Sequence, residues 1–291
     1  MKNLAFYLLV ILIWGSSWIG IKLQLGTVEP IVSVTYRFTL AAVILLAWCH
    51  IRGLNMRFSL KEHGFMLLQG ILLFGLNYLF FYIAELYVTS GLAAVIFSTI
   101  LLMNMVNGAI FLKSAIDGMV AVGGLLGLTG IILVFRPEIT SFSLDNNGAL
   151  GAILCVVATV FASLGNITSA RNQKHGLPVI QTNAYGMSYG AFVMLLVALA
   201  WGKPFSFEAT PVYIGSLLYL ALFGSVIAFG CYLTLVGNIG ADRAAYATLL
   251  FPIVALAIST IWEDYQWSLS SATGVGLILL GNLWMLKRRK R

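Results

Sequence analysis

Arg37 stands within an apolar run that extends from Pro30 to Ile51. A guanidinium inside hydrocarbon is costly, so it is read either as a binder of an anionic substrate group or as an anchor that ties down backbone carbonyls. Other polar residues recur at helical spacing. Tyr78, Tyr82 and Glu85 follow i, i+4, i+7 with Asn77 beside them, and Thr99, Met103 and Asn107 follow i, i+4, i+8 with Asn104 adjoining. Thr159, Ser163 and Asn166 form a third stripe, and Trp14, Ser17 and Trp18 a fourth, with Tyr246 available from a later segment. Lipid offers polar atoms no partners, so such stripes turn inward, as interhelical glue or as the wall of a polar cavity. Aromatic faces mixed with amides and hydroxyls suit reversible binding of an amphipathic organic solute.

Covalent chemistry finds no support. "GMSYG" (186–190) matches a GxSxG pattern, but a nucleophile elbow needs a strand-to-helix turn with His and acid partners, and the histidines, His50, His63 and His175, sit in or beside connections. "NIT" (166–168) resembles a glycosylation acceptor but falls within a span. Cys49, Cys155 and Cys231 form neither a CxxC nor a Cys/His cluster, so no metal and no disulfide framework is expected. No Walker motif is present, and the glycines of "GGLLGLTG" (123–130) and "GVGLILLG" (274–281) follow no strand; they permit close helix packing. No cofactor is expected, and an intramembrane enzyme would need a nucleophile, acid pair or metal cluster that the spans do not show. A non-transporting receptor or scaffold is the other rival; it would more naturally carry a soluble domain or a long tail.

The elements that position these residues follow from composition. The 291-residue chain is 60% hydrophobic and 9% charged with a mean hydropathy of +0.96, too little charge to cover a water-facing surface. Crossing the hydrocarbon takes about 20 apolar residues. That ruler gives an all-α integral membrane protein with ten spans: 4–23, 30–51, 64–84, 89–112, 116–135, 148–170, 179–201, 211–236, 242–262 and 268–286. The first span lacks a small-residue cleavage site and reads as a membrane helix, not a signal peptide. With both ends inside, 13 Lys and Arg fall on the cytoplasmic side and three outside, so both termini are expected in the cytoplasm. The basic tail "KRRKR" (287–291) then serves as a cytoplasmic anchor with attraction for anionic lipid, and nucleic acid is not expected as a partner.

The chain also repeats itself. Residues 74–114 align with 223–263 at a shift of 149, pairing Phe74-Gly75 with Phe223-Gly224, Phe80 with Phe229, Gly91 with Gly240 and Thr99 with Thr248. Gly123 and Gly130 pair with Gly274 and Gly281 at a shift of 151. Two five-span units, 1–140 and 141–291, must insert with opposite orientation because five is odd, and inverted repeats of this kind usually clasp a substrate near the midplane. Within the repeat, Pro252 interrupts the ninth span where the fourth has Met103. Pro252 is either a hinge or cavity wall, or a static kink.

"LIWGSSWIGIK" (12–22), "TLLFPIVALAISTIWED" (248–264) and the 5+5 layout resemble the drug/metabolite transporter superfamily, in its EamA-type branch, over the whole chain. The residues carrying the family pattern are Trp14-Gly15, Arg37, Pro252 and Glu263; where the family often has a proline and a glutamate in span 4, this chain has Met103 and Ser114. The resemblance implies a bacterial inner-membrane transporter of small organic metabolites, amino acids among them, with export favoured. It implies a cavity lined by spans 1, 3, 4, 6, 8 and 9; the chain is expected to work as a monomer. Glu85 and Glu263 are span-end charges and no acid lies at mid-span, so proton coupling, uniport and exchange all stay open.

Overall fold

A computed structural model describes residues 2–141, 148–262 and 267–286. The helices are α1 (Lys2–Lys22), α2 (Pro30–Ile51), α3 (Leu60–Ala84), α4 (Ser90–Ser98), α5 (Ile100–Leu112), α6 (Gly118–Val134) and the short α7 (Arg136–Ser141). They continue as α8 (Gly148–Lys174), α9 (Val179–Ala200), α10 (Pro211–Ile239), α11 (Ala241–Ala244), α12 (Tyr246–Trp262) and α13 (Leu269–Leu286). No strand occurs among the described residues. Seven helices there are long and apolar enough to cross a membrane, and two shorter apolar ones, at 118–134 and 269–284, accompany them. This is a multi-pass membrane protein.

Local chemistry fixes the helix ends. Pro30 and Pro211 open α2 and α10 at the first turn, where a missing N–H is no loss. Ser59 and Glu62 form a reciprocal capping box on α3, and the hydroxyls of Thr89 and Thr210 and the carboxylate of Asp117 cap α4, α10 and α6. Gly240 joins α10 to α11 at φ +92°, a conformation that a side chain would strain.

Many large apolar side chains, among them Leu12, Trp48, Ile110, Leu125, Phe192 and Trp284, stay exposed, as expected of a lipid-facing surface. Polar side chains turn inward instead: Gln69, Asn172 and Asn183 are buried and bonded to one another through Gln69. The N-terminal end of α1 and the C-terminal end of α13 lie on one side, linked by Tyr7 donating to Asn282 at 2.8 Å.

Extensive contacts join α6 to α13 and α2 to α9. Around the centre, α3 and α5 pack on α8, while α10 and α12 pack on α1. Both α3 and α10 contain a π-helical stretch, Gly70–Leu76 and Leu220–Ile227. The fourth span is interrupted without a proline, at Thr99, and in the ninth region the helix restarts after Ala245, while α12 runs unbroken past Pro252. Ser98 and Thr99 turn their hydroxyls back onto the carbonyls of Ala94 and Ile96, a bonding pattern that bends helices.

Candidate functional site

The centre of the bundle holds a cavity with about 660 Å³ of empty space, mouth included. Trp14 from α1 forms one wall. Its indole Nε1 donates to the Gly224 carbonyl at 2.9 Å, and its ring meets Phe229, Tyr232 and Phe251 at centroid distances of 4.8, 4.9 and 5.7 Å. Gly224 belongs to the π-helical stretch of α10, an irregularity that often accompanies function. The same stretch places Ser225, whose hydroxyl donates to Leu220 five residues back and accepts from Arg37 Nε at 2.9 Å.

Arg37 does not reach for the membrane surface. It is 1% exposed, with its guanidinium carbon 4.4 Å from the Tyr78 ring centroid and 5.3 Å from that of Phe38. Nε is used by Ser225, whereas Nη1 is buried without a hydrogen-bond partner. Arg37, which lines the cavity, is therefore tied down at one nitrogen and has a second donor unused. The absent side chain at Gly224 makes this possible, since a Cβ there would lie 3.2 Å from Arg37 Nη2 and 3.3 Å from Ser17 Oγ.

Asn77 and Asn166 lie on the same wall. Asn77 Nδ2 donates to Leu73 at 3.3 Å and Asn166 Nδ2 to the Tyr232 hydroxyl at 3.2 Å, and in both the Oδ1 atom is buried without a partner. Toward the side where α1 begins, a second, larger cavity of about 1080 Å³ opens between the ends of α5, α8 and α10, with Asn104, Lys174 and Asp242 on its wall. Asn104 Nδ2 is held by the Ala241 carbonyl at 3.1 Å.

Of the residues expected at the site, Trp14, Ser17, Arg37, Asn77, Tyr78 and Asn166 line the central cavity, and Asn104 lines the second. The others do not. Tyr82 is buried and donates to Gln24 at 2.8 Å, so it ties α3 to the chain after α1. Asn107 donates to Ser163 at 2.8 Å, and Tyr246 to the carbonyl of Val120; both are cross-links between helices. Thr99 spends its hydroxyl on its own helix, and Glu85 caps the end of α3. Trp18 and Pro252 lie within α1 and α12, but their side chains are outside those described, as is all of Glu263.

The inward stripes of the first half were thus a mixture of wall and glue, because hydrogen-bonding helices together and facing a cavity demand the same residue types. Ser225, Phe229, Tyr232, Thr248 and Phe251 join the site without having been among the expected residues. Ser225, Phe229 and Tyr232 carry the same i, i+4, i+7 signal on α10, and Thr248 is the repeat partner of Thr99.

Such a fold, with an aromatic and polar hollow at the centre of an apolar bundle, defines a helical membrane transporter. The EamA-like transporter family matches residues 1–136 and again residues 149–287, and the chain belongs to that family. It is similar to the uncharacterized inner membrane transporter YedA of Escherichia coli K12, at 29% identity over 86% of this chain and 79% of that one. It is 25% identical to the uncharacterized transporter YoaV of Bacillus subtilis, over 97% and 96% of the two chains. It is also 25% identical to protein PagO of Salmonella typhimurium, over 94% and 88%. A crystal structure at 17% identity superposes with a TM-score of 0.81 over 99% of this chain and 98% of the other, which speaks for the fold alone. The relatives named for a function are named as transporters, not as enzymes.

Proposed function

We propose that this protein carries small organic metabolites, such as amino acids or related compounds, across a bacterial cytoplasmic membrane by alternating access. Its two halves, 1–140 and 141–291, act as inverted five-helix repeats around the central cavity, and export is the favoured direction. The carrying observation is the cavity itself, where neutral aromatic faces surround a few buried polar groups with unused hydrogen-bonding capacity.

Support for the inverted repeat comes from packing. Exchanging the halves turns α3 on α8 into α10 on α1, and α5 on α8 into α12 on α1, while α2 with α9 and α6 with α13 map onto themselves. The family also matches each half separately. Both termini lie in the cytoplasm by the distribution of Lys and Arg. The monomer is the working unit, with protons as a candidate coupling ion beside uniport and exchange.

The test is counterflow and efflux in proteoliposomes with a panel of amino acids and related metabolites, with and without a pH gradient. Movement of a panel member that needs the intact cavity is the expected result. Protein that is folded by its melting transition yet moves nothing on the panel overturns the metabolite reading, and movement indifferent to the gradient excludes obligatory proton coupling.

A further inference from the structure

Among the described residues that line the central cavity, Arg37 is the one full charge and no carboxylate stands against it. Arg37 is 1% exposed, its Nε bonds a neutral hydroxyl, its faces meet the rings of Tyr78 and Phe38, and none of the residues lining the cavity is acidic. Buried charges are ordinarily paired, because removing one from water costs far more than neutral contacts return. Arg37 Nη1 nonetheless has no hydrogen-bond partner. A guanidinium presents its donors as a rigid fork that matches a carboxylate.

The other unused atoms on the wall are of the opposite kind. Asn77 Oδ1 and Asn166 Oδ1 are buried acceptors without a donor. The remaining lining is apolar or aromatic, including Trp14, Phe229, Phe251 and Ile100.

We propose that the cavity selects organic acids: an anionic oxygen of the ligand accepts from Arg37 Nη1, an O–H or N–H of the ligand reaches Asn77 or Asn166, and an apolar body fills the aromatic wall. Arg37 is the residue that distinguishes an acid from its neutral amide. This rests on the transport reading above and narrows it to a class of substrate. Arg37 has two attachments, so its structural and binding roles are separable: the Ser225 bond orients the fork and leaves Nη1 to the ligand.

The experiment compares 3-phenyllactate with 3-phenyllactamide, and 2-hydroxy-4-methylpentanoate with its amide, by titration calorimetry on protein in nanodiscs. Each acid is expected to bind at least ~10-fold more tightly than its amide, because a site with a buried, unanswered donor penalises a ligand that cannot satisfy it. Arg37→Gln should bring acid and amide to within about twofold of each other, while Arg37→Lys, which keeps the charge and loses the fork, retains a reduced preference. Equal binding of acid and amide to the unaltered protein overturns the proposal without any variant, and so does a preference that survives Arg37→Gln. Should Arg37→Gln fail to fold, Arg37→Lys and the unaltered protein carry the comparison.

Counterflow in proteoliposomes keeps the two readings apart. Amides or amines that move while acids neither bind nor move sink the acid selectivity and leave transport standing. If no acid, amide or panel metabolite moves, both fall together.

Discussion

Thr99 and Thr248 make the same bond. Each donates its hydroxyl to the carbonyl three residues earlier, Ile96 and Ala245 respectively, at 2.6 Å, and the two threonines are 149 residues apart, the shift of the internal repeat. Each bond lies where its segment is interrupted: α4 gives way to α5 at Thr99, and α11 to α12 at Ala245. The element shared by the two halves is therefore the threonine, and Pro252, which only one half contains, lies further along a continuous α12.

Thr248→Val keeps the shape and removes the hydroxyl. Loss of an intramembrane hydrogen bond costs about 0.6 kcal/mol, so the melting temperature should move little. Counterflow should suffer more, since Thr248 also lines the central cavity. Pro252→Ala restores an N–H to the helix and should leave transport closer to normal than Thr248→Val does. Transport abolished by Pro252→Ala and untouched by Thr248→Val would return the hinge to the proline.

Backbone meets backbone between α6 and α13. A Cβ on Gly130 would sit 2.5 Å from the Gly274 carbonyl oxygen, and one on Gly274 2.5 Å from that of Gly130; Gly123 and Gly281 face each other in the same way. Gly130→Ala would run into the backbone of Gly274 and Ile278, which has no side-chain freedom to yield, and should cost about 1–3 kcal/mol, the usual range for overpacking. On the same helix pair, Gly276→Ala meets nothing within 4 Å and should be neutral or slightly stabilising. Thermal melts of the three proteins in detergent check the contrast, and equal melting temperatures would refute the contact.

Much of this architecture is legible in the sequence because hydrocarbon imposes a single rule on length and polarity. Expected spans such as 30–51, 179–201 and 268–286 match α2, α9 and α13 to within a residue. Glycine pairs in the repeat register likewise announce α6 against α13. The site is less legible. Asn77 and Asn166 on the wall, and Asn107 and Tyr82 in cross-links, are the same kind of residue on the same kind of stripe. What separates them is which neighbour each meets across the bundle, and that depends on packing, which spacing along one helix does not encode. For Ser225 the spacing shows a place on a stripe but not the partner: its contact with Arg37 depends on the π-helical stretch around it, and "ALFGSVI" has no residue that demands one.

Asp117 should make the α6 end sensitive to acid. Its Oδ1 accepts from the Met119 N–H at 2.9 Å, and its Oδ2 lies 3.0 Å from Arg243 Nη2. The Met119 bond, assisted by Arg243, holds the carboxyl below its ordinary value. A group depressed by folding stabilises fully above its unfolded value and loses that contribution as the pH falls through the folded one. Stability should hold above about pH 4 and decline below it. Asp117→Ala should remove about 1 kcal/mol at neutral pH, as for other N-caps, and flatten the acid limb of the melting curve. An acid limb identical in both proteins would show that Asp117 contributes nothing to it.

Tyr232 lines the central cavity and accepts from Asn166, while Asn104 faces the second and is held by Ala241 at the start of α11. Asn238, beside that second cavity, donates to Asn3 near the start of α1, so this cavity opens on the side of the N-terminus. A charged thiol reagent applied from that side should therefore label Asn104→Cys and spare Ser17→Cys, in a background with Cys49, Cys155 and Cys231 replaced. Tyr232→Phe removes the hydroxyl that Asn166 uses, and Asn166 Oδ1 already lacks a partner, so the layer should loosen. Labelling of Ser17→Cys should then rise several-fold while the melting temperature falls only slightly, in keeping with a bond of about 0.6 kcal/mol. Ser17→Cys that reacts as fast as Asn104→Cys from the N-terminal side, with Tyr232 intact, would mean that no barrier stands between the cavities. The alternating-access reading would then have lost its inner gate.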